Sequence, residues 1–145
     1  MTQEKKQLLL NDLCARLPYG VKICVGGYIC TLLDINTEMG DKLNGETFHT
    51  VGFNKPNGEY DFCTISEVKP YLRPMESMTE KETYIFRQDI LNEVEARCIC
   101  SFGCGKYTLA FTESNDWLNK HHFDYRDLIR KGLALEAPEG MYKTE

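Results

Sequence analysis

The chain has 145 residues, of which 42% are hydrophobic and 27% charged, and a formal net charge of −5 at pH 7. A chain of this length buries roughly two-thirds of its unfolded surface, so we expect one domain, residues 1–145. The acidic balance argues against autonomous binding to nucleic acid, which requires Lys and Arg to neutralise phosphates. No apolar run approaches the ~20 residues of a membrane span, and Asn11 and Asp12 interrupt the N-terminal leucines too early for a signal peptide. We therefore expect a cytoplasmic protein that makes no membrane contact.

The first residues have the pattern of an amphipathic helix. Apolar side chains recur at helical intervals, at Leu10, Leu13, Cys14 and Leu17. Pro18 and Gly20 then interrupt the pattern and end the helix. We therefore expect an N-terminal helix over residues 3–17.

Residues 21–65 change to the alternating period of strands. Four runs rich in β-branched or aromatic residues carry this period, namely 21–25, 28–35, 47–53 and 60–65. Gly26-Gly27 fits a tight hairpin turn, and Asn57-Gly58 after a proline fits a second. The sequence therefore predicts a small bent antiparallel sheet or partial barrel of about four strands. The loop from Asn36 to Glu46 either carries function or merely connects the hairpins, and connection is the favoured interpretation.

The rest of the chain is predicted to be a stiff link followed by a mainly helical part. Within residues 66–76, Pro70 and Pro74 restrict their neighbours and oppose a helix interior, which indicates a Pro-rich link. Residues 77–145 then favour helices. The longest is expected from about Thr79 to Arg97, because Thr79-Glu-Lys-Glu82 fits the capping box of a helix start.

Two short helices are predicted to close the chain. Ser114 begins the first, Asp124 caps the second, and Gly132 stands where a left-handed C-terminal residue is wanted. The expected fold is therefore α+β. About four antiparallel strands pack with several helices, the last two of which form a C-terminal pair.

The seven cysteines are odd in number and fit no disulfide framework, so we expect reduced thiols. Cys98, Cys100 and Cys104 could hold Zn²⁺ with His121 or His122 as a fourth ligand. Structural zinc sites usually use two regularly spaced pairs, whereas these three cysteines form one irregular cluster. We therefore expect neither a metal nor another cofactor.

Candidate binding residues concentrate near the C-terminus, at Trp117, His121, His122 and Tyr125. The two imidazoles beside Asp124 suggest a metal or hydrolytic site, but adjacent helical residues point about 100° apart and do not face one ion. A capped helix end, with one histidine against an aromatic ring, explains them better. Trp117 is either core or an interface hot spot, and a lone Trp in a small domain favours core.

Four strings of the sequence stand together as a signature: 8–21 (LLLNDLCARLPYGV), 68–75 (VKPYLRPM), 121–126 (HHFDYR) and 132–142 (GLALEAPEGMY). They resemble a group of small uncharacterised proteins encoded in prophages and other mobile elements of gut anaerobes. The resemblance implies a genomic setting, an accessory gene of a phage or integrated element. It implies no mechanism, and no catalytic or binding residue is carried over from it.

Three classes of function are compatible with these observations. A non-catalytic accessory protein-binding module is favoured, with a loop, a sheet edge or the C-terminal helices as its contact region. One alternative is an acidic adaptor or charge mimic that acts on a nucleic-acid complex, and another is a small metal-dependent hydrolase. An enzyme is the minority interpretation, because no Gly-rich phosphate loop follows a strand and no nucleophile lies in a recognisable setting.

Overall fold

The computed structural model describes residues 1–39, 47–91 and 114–142. Its regular elements, in chain order, are α1 (Gln3–Arg16), β1 (Lys22–Val25), β2 (Tyr28–Met39), β3 (Thr47–Asn54), β4 (Tyr60–Thr64), β5 (Val68–Leu72), α2 (Glu80–Ile85) and β6 (Leu135–Glu136). Short 3-10 helices span Leu17–Tyr19, Ile65–Glu67 and Met75–Ser77, and a π-helical turn spans Phe86–Leu91. Residues 114–120 are also helical. No helix within these ranges is both long and apolar enough to cross a bilayer.

Within the described ranges the strands form one six-stranded sheet in the order β4-β3-β2-β1-β5-β6. Neighbours from β4 to β5 pair antiparallel, whereas β5 and β6 pair parallel. Tight turns explain the antiparallel part, because Gly26 and Gly27 both have positive φ and join β1 to β2. A bulge between Leu32 and Asp34 shifts the register of β2 against β3.

The prediction of a sheet of about four antiparallel strands is wrong, because the sheet has six strands and is mixed. The fifth strand, β5, lies within the stretch predicted to be a link. Pro70 is tolerated there because this part of β5 pairs with β1 alone, and β6 begins its pairing only at Tyr71. The sixth strand has only two residues, which are too few to show the alternating period of a strand in the sequence.

The core lies between α1 and one face of the sheet. Leu9 and Leu13 of α1 are fully buried against strand residues such as Ile23, Leu32 and Val51. Thr2 begins the helix, since its hydroxyl accepts a hydrogen bond from the Lys5 amide at 3.2 Å. In β5 the buried residues Val68, Pro70 and Leu72 alternate with Lys69 and Tyr71, as expected for a strand with one face on the core, whereas the bulge interrupts this alternation in β2.

The predicted pair of C-terminal helices is also wrong. Residues 114–120 are helical, but residues 125–131 form a series of turns. The physical reason is Asp127, which has φ of +62° in the left-handed region that a helix does not accept. Asp124 still caps this segment, because its carboxylate accepts the amides of Leu128 and Ile129 at 2.8 and 2.9 Å.

The helix predicted from Thr79 to Arg97 begins with the expected capping box between Thr79 and Glu82. Its α-helical part ends at Ile85 and continues as the π-helical turn, and its last predicted residues lie outside the described ranges. The core cluster between α1 and the sheet includes no residue of α2. An ion pair between Arg73 and Glu82 connects α2 to the end of β5 instead.

Candidate binding surface

The predicted site residue Trp117 lies in an aromatic cluster. Its ring contacts those of His121, Phe86 and Phe123 at centroid distances of 4.3, 5.1 and 5.9 Å. The indole is half-buried, so Trp117 is neither deep core nor a fully exposed anchor. It connects the helix of residues 114–120 to the π-helical turn.

The two predicted histidines have different partners. His121 stacks on Trp117, and its Nδ1 lies 4.0 Å from Oε2 of Glu82. His122 has φ of +64°, and its buried ring stacks on Tyr142 at 3.8 Å. Burial and then the charge of Arg16 lower the pKa of His122 to about 4, so its imidazole is neutral at pH 7.

No metal-binding group is formed in the part of the chain that the structure describes, where no three His, Cys, Asp or Glu side chains come together suitably. Cys98, Cys100 and Cys104 lie outside those ranges. Among the described thiols, burial raises the pKa of Cys63 to about 11. That thiol is protonated at neutral pH and is a poor nucleophile.

A buried charge cluster joins α1 to the C-terminal segment. Arg16 makes two hydrogen bonds to Asp12, at 2.9 and 3.1 Å, and both side chains are fully buried. Arg16 also donates to the carbonyl of Phe123 at 2.6 Å, and Arg126 donates to Asp12 at 2.8 Å. Tyr125, the fourth predicted site residue, has its ring 4.7 Å from the Arg126 guanidinium carbon. The arrangement fixes the C-terminal segment on α1, and Nη1 of Arg16 is buried there without a hydrogen-bond partner among the described residues.

A second ion pair connects α2 to the end of β5. Arg73 binds Glu82 through both terminal nitrogens, at 2.6 and 2.8 Å. Burial alone would raise the pKa of Glu82, but its hydrogen bonds from Arg73 and Thr79 outweigh burial and lower it. The Arg73 backbone also bonds to the carbonyl of His122 and the amide of Asp124. The predicted site residues thus surround a joint between structural elements.

Tyr142 adds a further contact to this joint, because its hydroxyl is hydrogen-bonded to two strands of the sheet. Its hydroxyl accepts a hydrogen bond from the Lys22 amide at 2.9 Å and donates one to the Tyr71 carbonyl at 2.8 Å. Ile23 and Pro70 are the last directly paired residues of β1 and β5, and Lys22 and Tyr71 are the next positions along the two strands. The phenol therefore bridges two backbone groups at the point where β1 and β5 stop pairing directly.

The exposed apolar side chains concentrate elsewhere, on the sheet face opposite α1. We call this surface the outer face and define it by Ile29, Leu33, Tyr60 and Phe62. Their exposed fractions are 47%, 42%, 53% and 65%, which are high for large apolar side chains in one region. Sequence reasoning missed the outer face, because the alternation of Tyr60 and Phe62 with Asp61 and Cys63 in β4 does not by itself show which set is exposed.

A cross-strand hydrogen bond organises the centre of the outer face. The Tyr60 hydroxyl donates to Asp34, with oxygen distances of 3.0 and 3.2 Å. The bond passes directly over Gly52, where a Cβ atom would overlap both side chains. Asn36 donates to the same carboxylate at 3.0 Å. The Asp34 carboxylate is therefore hydrogen-bonded on the face itself, while Lys22, which donates to Thr31, and Lys69 lie on the β1 and β5 side of the face.

A cleft of about 540 Å³ opens on the core side of the sheet, near the tips of the two hairpins. Its lining consists of Val25, Tyr28, Cys30, Phe53, Lys55, Pro56, Asn57 and Asp61. The volume is in the range of ligand pockets. Its two charged groups, Lys55 and Asp61, already pair with each other at 3.1 Å. The cleft is therefore apolar with few polar groups left to orient a ligand, and the outer face is the stronger candidate.

Comparison of the chain with protein-family models, with curated proteins and with solved structures finds no match.

Proposed function

We propose that this protein is a non-catalytic protein-binding module that contacts its partner through the outer face. The observation that carries the proposal is the grouping of Ile29, Leu33, Tyr60 and Phe62 on one side of the sheet, each more than two-fifths exposed. Large apolar side chains exposed on one surface are typical of protein interaction sites. Aromatic residues such as Tyr60 and Phe62 are enriched in interfaces because they bury a large area for few rotatable bonds.

The charges around the outer face define the chemistry of the proposed partner. Asp34 accepts hydrogen bonds from Tyr60 and Asn36, Lys22 on β1 donates to Thr31 at 2.7 Å, and Lys69 is exposed on β5. A partner surface with apolar side chains in its middle and carboxylates toward β5 would complement this arrangement. We therefore propose an acidic-rimmed apolar partner protein.

The biological setting is proposed on the sequence alone. The strings that resemble proteins of prophages and mobile elements support an accessory role in a phage or integrated element, in the cytoplasm of the host cell. The buried carboxylates of Asp12 and Glu82 are both held in ion pairs with arginines, which supports a binding module over an enzyme.

Photo-crosslinking tests the proposal directly. A photoreactive phenylalanine analogue replaces Phe62 in one protein and Tyr84 in another, and both are expressed in cells that contain the parent element. Tyr84 is a matched control because it is an aromatic residue of equal exposure, 67% against 65%, on α2. We expect a discrete crosslinked partner from position 62 and none of that mass from position 84. Equal products from both positions, or none from position 62, would contradict the proposal.

A further inference from the structure

Among the residues that the structure describes, β4 pairs on one side only, with β3, and an unpaired strand edge is a template for adding another strand. β4 is the last strand in the order β4-β3-β2-β1-β5-β6. It has five residues, Tyr60–Thr64, and contains neither Lys nor Pro, which are common devices that protect an edge. Some other feature must keep this edge from pairing.

The hairpin geometry shows which backbone groups of β4 face outward. The Lys55 amide bonds to the Glu59 carbonyl at 2.8 Å, which sets the phase of the ladder between β3 and β4. In an antiparallel pair, hydrogen-bonded residues alternate with residues whose amides point the other way. The amides of Asp61 and Cys63 therefore point to β3, and those of Tyr60, Phe62 and Thr64 point out of the sheet.

Side-chain carboxylates occupy two of these three outward amides. Oδ1 of Asp61 accepts the Phe62 amide at 2.8 Å, and Oε2 of Glu67 accepts the Thr64 amide at 2.9 Å. The second oxygen of Asp61 pairs with the Lys55 ammonium at 3.1 Å, which holds the carboxylate in place. An incoming strand would have to displace two charge-assisted hydrogen bonds before it could form its own.

We propose that Asp61 and Glu67 close a strand-pairing surface on β4 whose fitting partner is the β4 strand of a second copy of this chain. A two-fold axis through Phe62 would place Tyr60 opposite Thr64 and Asp61 opposite Cys63. No like charges then face each other, and the two Phe62 rings form a cross-strand aromatic pair. The wild-type carboxylates prevent this pairing, so partners approach the outer face instead of the edge.

Removal of both carboxylates tests this arrangement. In the double variant Asp61→Ala with Glu67→Ala, analytical ultracentrifugation over a range of concentrations should show a dimer of twice the wild-type mass. Glu59→Ala is the matched control, because Glu59 is an exposed carboxylate of the same hairpin that accepts no edge amide. The control and the wild type should stay monomeric.

A proline variant shows whether any dimer uses this edge. Thr64 has φ of −79°, which proline can adopt, and its amide points outward, so Thr64→Pro removes a pairing donor without breaking the ladder. Added to the double variant, it should restore the monomer. Circular dichroism must show that each variant melts cooperatively. A double variant that folds but stays monomeric, a dimer that survives the proline, or a wild-type dimer that the proline abolishes would each overturn the proposal.

Discussion

His122 makes the stability of the fold sensitive to acid in a defined pH range. The folded protein holds the pKa of His122 at about 4, against an ordinary value of 6.5, because the imidazolium would be buried and would face Arg16, His121 and Arg73. The unfolded chain therefore binds this proton more readily. Stability is fully present above pH 6.5 and is lost as the pH falls toward 4. At about 1.4 kcal/mol per pH unit, the shift corresponds to roughly 3 kcal/mol.

Urea unfolding of the wild type and His122→Asn at several pH values measures this contribution. Asparagine suits the positive φ of position 122 and does not titrate in this range. Other groups titrate in both proteins, so the difference in pH dependence isolates His122. The wild type should lose about 3 kcal/mol more than the variant between pH 7 and pH 4. Parallel stability curves, or an NMR titration of His122 near its ordinary pKa, would refute the reasoning.

Three further substitutions test other contacts. Tyr142→Phe removes the hydroxyl that bridges β1 and β5 and should cost about 1–3 kcal/mol in urea unfolding, because two backbone groups lose their partner; a loss below about 0.5 kcal/mol would show that water replaces the hydroxyl. Gly52→Ala should separate Tyr60 from Asp34, which lowers the pKa of Tyr60 from its raised value, and a tyrosine-selective NMR titration that finds no change would count against the cross-strand bond. Trp117→Ala should cost about 3 kcal/mol through lost ring contacts and lower the melting temperature by about 10 °C; unchanged melting would place the indole outside the structural joint.

The sequence predicts the elements that depend on local periodicity. The runs at β1 to β4, their Gly-containing turns and the helix α1 each have a period or a turn signal within a few residues. The strands that the sequence missed depend on distant partners. β5 contains Pro70, which locally opposes a strand, and its pairing with β1 makes that proline acceptable. β6 is a strand because Leu135 and Glu136 meet Tyr71 and Leu72.

The outer face could not be predicted from the sequence for a related reason. In β4, large apolar side chains alternate with Asp61 and Cys63, so the period alone does not say which set faces the core. The register Phe62 with Gly52 and the burial of Val51 and Phe53 decide it. The C-terminal residues were predicted to bind a partner because they combine residue types that are rare in this chain. Their backbone conformations, above all the left-handed His122 and Asp127, direct them into structural contacts that no helical pattern predicts.

The most direct test of the binding proposal is a quantitative affinity capture from cells that carry the parent element. Tagged wild type, Phe62→Ser and Tyr84→Ser are compared. Their stabilities are measured first and should be equal, because both aromatic rings are mostly exposed. We expect that the captured amount of at least one protein, retained by the wild type and by Tyr84→Ser, falls about tenfold or more with Phe62→Ser, since an interface aromatic commonly contributes more than about 1.4 kcal/mol. Identical captured proteins and amounts for all three would contradict the outer face as the binding surface.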